Sequence, residues 1–168
     1  MFLYRRYSMN GGRCIRVRAS GTVHVSQPTH RGRRMTQQAS GKELIYVKEG
    51  HKHTSPIPQG VKAGGFIFLS AVRGVETGST RPVADTEQQA RLLFENIRRA
   101  LEAAGSSLDR VVKIGVYMIN LQRDRPIFNA VWKEYFGDAP PARFAVQVLD
   151  MGGAGDDSKF LADVTALA

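Results

Sequence analysis

The chain of 168 residues has a single cysteine, Cys14, which excludes an internal disulfide and a zinc site built from four thiolates. It also has no apolar run approaching the roughly 18 residues that a membrane-spanning helix needs. Acidic residues are missing from the first 42 positions. That stretch carries Arg5, Arg6, Arg13, Arg16, Arg18, Arg31, Arg33, Arg34 and Lys42, and the first carboxylate is Glu43. The net charge of +9, from 24 Lys and Arg against 15 Asp and Glu, therefore lies wholly in the N-terminal tail. Residues 43–168 are balanced, so a phosphate-seeking domain surface is not indicated. Aromatic residues are scarce in the tail as well, limited to Phe2, Tyr4 and Tyr7, too few for a platform on which bases stack.

What remains is 42% hydrophobic, enough for one folded domain with an appendage. Residues 1–42 lack apolar periodicity and read as a disordered basic extension; residues 43–168 read as the domain. Three uses of the extension stay open. An Arg-rich, acid-free start resembles a mitochondrial presequence, although Gly11, Gly12, Gly21 and Pro28 interrupt any amphipathic helix. It could form a nucleic-acid arm, or it could be an inert leader with translation beginning at Met35.

The body gives an order β-β-α-β-α-β-β. Leu44–Val47 and Phe66–Leu69 are compact strand-like runs separated by a Pro-rich segment. Asp85 or Thr86 can cap a helix, with Gln89 completing a capping box, and Ala90, Leu93, Phe94, Ile97, Leu101 and Ala104 recur at helical spacing up to Gly105. Residues 111–121 are apolar on both alternations, as in a central strand. A second helix runs from about Arg125 to Phe136, with Ile127, Val131, Trp132 and Tyr135 as its stripe. Strands follow over 143–149 and 160–168. Two helices on one face of a mixed sheet make an α+β domain. The other face is left apolar and uncovered, which predicts a homo-oligomer.

Weaker signals carry little chemistry. His51 and His53 lack further metal-ligand spacing. Gly152, Gly153 and Gly155 lack the Lys-Ser/Thr of a phosphate loop, and Ser70 lacks a nucleophile elbow. Cys14 lacks a Cys/His partner pattern.

The segments VKAGGFIFLSA (61–71), TEQQARLLFENIRRALEAAGSSLDRVVKIGVYM (86–118), FNAVWKEYFGDAPPARFAVQV (128–148) and DVTALA (163–168) together resemble the Rid family, the reactive intermediate deaminases also called YjgF. The resemblance runs from about Leu44 to Ala168. It implies a chorismate-mutase-like (YjgF-like) α+β fold, a homotrimer with sites between subunits, and hydrolysis of small reactive enamines and 2-imino acids to 2-oxo acids and ammonia. It implies no cofactor and no metal; composition gives no membrane partner and disfavours nucleic acid, and the alternatives are a non-catalytic trimer that binds small carboxylates, or RNA binding with the ribonuclease activity sometimes ascribed to the family. The location it implies is the cytoplasm, or the mitochondrion if the tail is a presequence.

The chemistry requires a cation for the substrate carboxylate, a positioned water and a polar group that moves protons. The family places its carboxylate-holding arginine where Arg143 stands, and a guanidinium suits that role through two parallel hydrogen bonds. Asp163 stands at the acidic position of the last strand, where many members have the longer glutamate. Backbone near Ala145 and Asp163 would position water, while Asn129, Ser70, Ala71 and Ile57 would line the cleft. Three residues depart from the family pattern. In SPIPQGV, Ile57 replaces a tyrosine and Pro58 a serine of GPYSQAV. Ala71 replaces the glycine of SGQ, adding a Cβ where backbone should approach ligand.

Overall fold

The computed structural model describes residues 41–48, 50, 52, 53, 55–152 and 157–168. The expectations for residues 1–40, including Cys14 and Met35, and for His51, Gly153 and Gly155, lie outside these residues. The elements are β1 (Lys42–Ile45), β2 (Gly60–Ala63), β3 (Phe66–Arg73), α1 (Thr86–Ala103), β4 (Val111–Met118), α2 (Leu121–Phe136), β5 (Ala142–Gln147) and β6 (Phe160–Leu167). The strands form one sheet in the order β1-β2-β3-β6-β4-β5. It is mixed, with β5 parallel to β4 and the remaining neighbours antiparallel.

β2 is an addition to the order expected from sequence. Its four residues, GVKA, are too short and too polar to show a period, but the turn at Gly64-Gly65 reveals the pairing. Both glycines have positive φ, 58° and 81°, the backbone that a tight hairpin demands and side chains resist. β1 also begins two residues earlier than expected.

α1 is capped by Asp85, whose carboxylate accepts from the Gln88 backbone N–H. Gln89 does not close a capping box. It is buried, donates to the Val83 and Asp157 carbonyls and accepts from the Lys159 N–H, fastening two loops to the helix. α2 begins four residues before the expected position, because Asn120 accepts from the Arg123 N–H and caps it there. Pro126 consequently lies inside the helix, in the second turn, and only leaves one carbonyl without its helical donor.

Both helices pack on the same face of the sheet. Ile67, Leu69, Val72, Ile114, Val116, Met118, Phe160, Ala162, Val164 and Ala166 alternate onto that face and are buried. They meet Leu93, Phe94, Ile97 and Leu101 of α1 and Phe128 and Val131 of α2. Phe94 is the hub: its ring centroid lies 5.3 Å from Phe128, 4.9 Å from Tyr135 and 5.7 Å from Phe136. At the rim of this cluster the Tyr135 hydroxyl donates to Glu95 at 3.0 Å. Burial, aided by that carboxylate, pushes the phenol up to about 12.

The opposite face has no helix. Register places Leu44, Phe68 and Thr165 in one row across it, with Gly115 beside Asp163 and Phe144 in another. Leu44, Phe66, Phe68, Phe144, Val146 and Leu167 are exposed there. β5 therefore inverts the usual rule that apolar residues turn toward the core: Phe144 and Val146 face the open side, and Arg143, Ala145 and Gln147 face the helices. The register requires this, since Arg143 pairs with buried Ile114 and Ala145 with buried Val116.

Candidate functional site

Pro140-Pro141 ends the α2 connection and delivers the chain in extended form to β5, an edge strand. Arg143 projects from it onto the helix side, against α2. Its Nη2 donates to Asn129 Oδ1 at 2.9 Å. The guanidinium carbon lies 4.5 Å from the centroid of the Trp132 ring and 5.8 Å from that of Phe128. The indole face attracts the cation and holds its plane. Burial lowers the pKa of Arg143, and the charge of Arg125 lowers it further, but guanidinium basicity is high enough that the group stays charged. Among the described residues no carboxylate pairs with it. One of its five donors is committed to Asn129, leaving others for an incoming anion.

Ala145 lies two residues along β5 on the same face, packed against the core. The edge position leaves alternate backbone groups of β5 without a sheet partner. Arg143 and Asn129 thus meet directly, with Ala145 two residues along β5 on the same face. Trp132 joins them. Sequence spacing assigned it to the helix core stripe, and nothing in that spacing separates a core indole from one that supports a guanidinium.

The remaining expected residues gather on the other face. Asp163 is exposed on the central strand β6 and pairs with Gly115 of β4. Across β3 the register slips between Leu69 and Val72, so Ser70 and Ala71 together oppose Asp163 in a bulge, a device that re-aims side chains near sites. The Ser70 hydroxyl donates to the Pro58 carbonyl at 2.7 Å, and its N–H donates to the Gln59 carbonyl. These bonds tie the loop bearing exposed Ile57 to the bulge. The Phe144 ring fills the space over Gly115, next in the row to Asp163.

Within one chain, then, Arg143 and Asp163 rise from opposite faces of the sheet, two strands apart. A single copy does not present them to one small molecule. Of the two histidines considered for metal, His53 is described, and burial and Arg73 lower its pKa. No cluster of three or more His, Cys, Asp or Glu side chains suited to a metal occurs among the described residues.

An α+β sheet with this order and an arginine anchor on its edge strand define a class, and comparison with known proteins assigns the family. Residues 52–156 match the family model described as Endoribonuclease L-PSP; the chain belongs to this YjgF/RutC/Rid family. It is 39% identical over 108 residues to a RutC family protein of Pyrococcus horikoshii, covering 64% of this chain and 85% of that one. It is 32% identical over 116 residues to the 2-iminobutanoate/2-iminopropanoate deaminase of Dermatophagoides farinae, covering 67% and 88%. Protein mmf2, mitochondrial, of Schizosaccharomyces pombe is 38% identical over 91 residues, covering 54% and 71%. The crystal structure of Escherichia coli TdcF with bound serine superposes with a TM-score of 0.68 at 29% identity, covering 75% of this chain and 98% of that one.

Proposed function

We propose that the protein is an enamine and imine deaminase that hydrolyses small 2-imino acids to 2-oxo acids and ammonia. The observation that carries this reading is the Arg143 guanidinium, held by Asn129 and Trp132 at the exposed edge of the sheet, with donors to spare and no carboxylate partner among the described residues. Its fork fits the substrate carboxylate. Water then adds to the adjacent imine carbon, its oxygen bonding to that carbon while a proton passes to nitrogen. The hydroxyl proton of the resulting carbinolamine then passes to nitrogen as the carbon–nitrogen bond breaks, so that ammonia leaves and the carbonyl of the 2-oxo acid forms. Asp163 is the group that orients the water and accepts its proton in transit.

Because these two residues diverge within a chain, the working site joins the Arg143 side of one copy to the Asp163 side of another. The exposed apolar face is the surface that such an assembly would bury, and a homotrimer is the arrangement in keeping with the family. Ser70, Ala71 and Ile57 then line the cleft from the Asp163 side. Ile57 brings an apolar wall where related sites carry a phenol, so a hydroxyl is missing from that side of the cleft. The cytoplasm is the proposed location, and the mitochondrial relative supports the alternative in which the basic tail directs import.

The test is release of ammonia and 2-oxo acid from 2-iminopropanoate generated in situ by an amino-acid oxidase. Acceleration over buffer is expected, with Arg143→Ala lowering it on the order of 10²-fold by losing carboxylate placement. Equal rates for the two proteins would refute the assignment. A second reading, a carboxylate-binding protein without turnover, is favoured by one observation: Asp163 is a methylene shorter than glutamate. It predicts pyruvate binding that depends on Arg143 with no acceleration over buffer.

A further inference from the structure

Arg143 is not the only cation at this edge of the fold. Arg125 stands one helical turn before Asn129 on α2, and residues so spaced are neighbours on a helix surface. Asn129 in turn holds Arg143 at 2.9 Å. Arg125, Asn129 and Arg143 therefore make one row, close enough that the charge of Arg125 is felt at Arg143.

Three other helix arginines are neutralised by carboxylates, while Arg99 bonds only the Thr77 hydroxyl. Arg91 bonds Glu87 and Glu134, Arg98 bonds Glu95 and Glu102, and Arg123 bonds buried Asp124. Arg125 and Arg143 have no such partner among the described residues. Two guanidinium groups that repel each other, with no carboxylate of the chain between them, store an unfavourable energy that a doubly negative ligand relieves twice. One carboxylate on Arg143 answers only the first charge.

We infer that Arg125 holds a second carboxylate, so that the site prefers dicarboxylic 2-imino acids, such as 2-iminosuccinate and 2-iminoglutarate, over monocarboxylic ones. The inference rests on the deaminase reading for its substrate chemistry, but the anion preference itself concerns binding and can be tested without turnover. Arg125 acts as a specificity-determining residue, placed on the rigid first turns of α2 that Asn120 caps. Because its contribution is a charge–charge attraction at an exposed position, it also weakens with salt.

Two measurements on the full chain decide the matter. In the first, 2-oxoglutarate and pyruvate are titrated into the protein by calorimetry. The dicarboxylate is expected to bind at least tenfold more tightly, Arg125→Gln to erase that ratio and Arg125→Lys to retain most of it. In the second, the ratio of kcat/KM for 2-iminoglutarate over 2-iminopropanoate is compared between wild type and Arg125→Gln, and a fall of at least tenfold is expected. Thermal unfolding of each variant establishes that the exposed substitution leaves the fold intact. Turnover of both imines with a ratio that Arg125→Gln does not change would overturn the role of Arg125 and leave the deaminase standing. A loss of both substrates in equal proportion would overturn it too, showing both arginines on one carboxylate. Preferential 2-oxoglutarate binding that Arg125→Gln abolishes, with no imine hydrolysed faster than in buffer, would support the second anion contact and sink the deaminase.

Discussion

Both faces of the sheet carry apolar side chains but use them differently. On one face, Ile67, Val116, Phe160 and their neighbours are sealed beneath two helices. On the other, Phe68, Phe144 and Val146 meet solvent in the single chain, Phe68 with 48% of its surface exposed. The first face supplies stability, and the second offers the surface for the proposed association. The candidate site is divided along the same line, with Arg143, the proposed carboxylate anchor, on the helix side and Asp163 on the open side. A chain built this way can fold alone without possessing a complete site, so catalysis would report assembly as well as folding.

The sealed side offers the largest effect by which to challenge this division. Phe94→Ala removes the hub ring from a close-packed cluster and should cost about 3–5 kcal/mol in urea unfolding. A much smaller loss would mean that the helices are not the main source of stability. On the open side, Phe68→Asp should leave the folded chain nearly as stable while weakening self-association at least tenfold, or about 1.4 kcal/mol. Sedimentation at several concentrations measures this, and an unchanged mass would show that copies meet elsewhere. Asp163→Asn retains shape but not basicity and should reduce imine turnover about tenfold or more, without changing pyruvate affinity in a calorimetric titration. Equal effects on both would place Asp163 in binding instead of proton transfer.

The smallest effect returns to the helix rim. Tyr135→Phe deletes the hydrogen bond to Glu95 and should cost about 1 kcal/mol. The sign of its pH dependence follows from a phenol whose folded value, about 12, exceeds the ordinary value of about 10. The contribution is complete below about pH 10 and is lost as pH rises through about 12. Ultraviolet titration of phenolate should show a late-ionising tyrosine in the wild type that is missing from the variant.

Much of this architecture can be read in the sequence where burial is one-sided. The α1 stripe is legible because Leu93, Phe94, Ile97 and Leu101 must all face one sheet. α2 is legible except at its start, where Pro126 looks like a first-turn proline until Asn120 is seen to cap an earlier turn. GVKA is silent because four residues with a lysine carry no usable period. β5 is the instructive case. Its alternation separates Arg143 and Ala145 from Phe144 and Val146 correctly, but which set faces the helices depends on pairing with β4, a long-range fact. The motifs that resemble the family point to Arg143, Asn129 and Asp163 without revealing that the acid and the arginine part company in one chain. The support from Trp132 and the neighbouring Arg125 charge are likewise tertiary facts, since neither residue differs in local pattern from an ordinary helix position.

Gly115 connects the two faces in another way. A methyl group there would collide with the Phe144 ring, and Phe144 is the residue next to Arg143 on the edge strand. The empty space above Gly115 is thus a mechanical seat: it fixes how β5 lies on β4, and with it the aim of the guanidinium on the far side. Filling that seat would tilt the anchor without touching it. In the proposed assembly, changes at Phe144 that tune how copies fit together would also move the proposed anchor behind them, so that drift in the association surface and drift in substrate choice would follow a single coupled path.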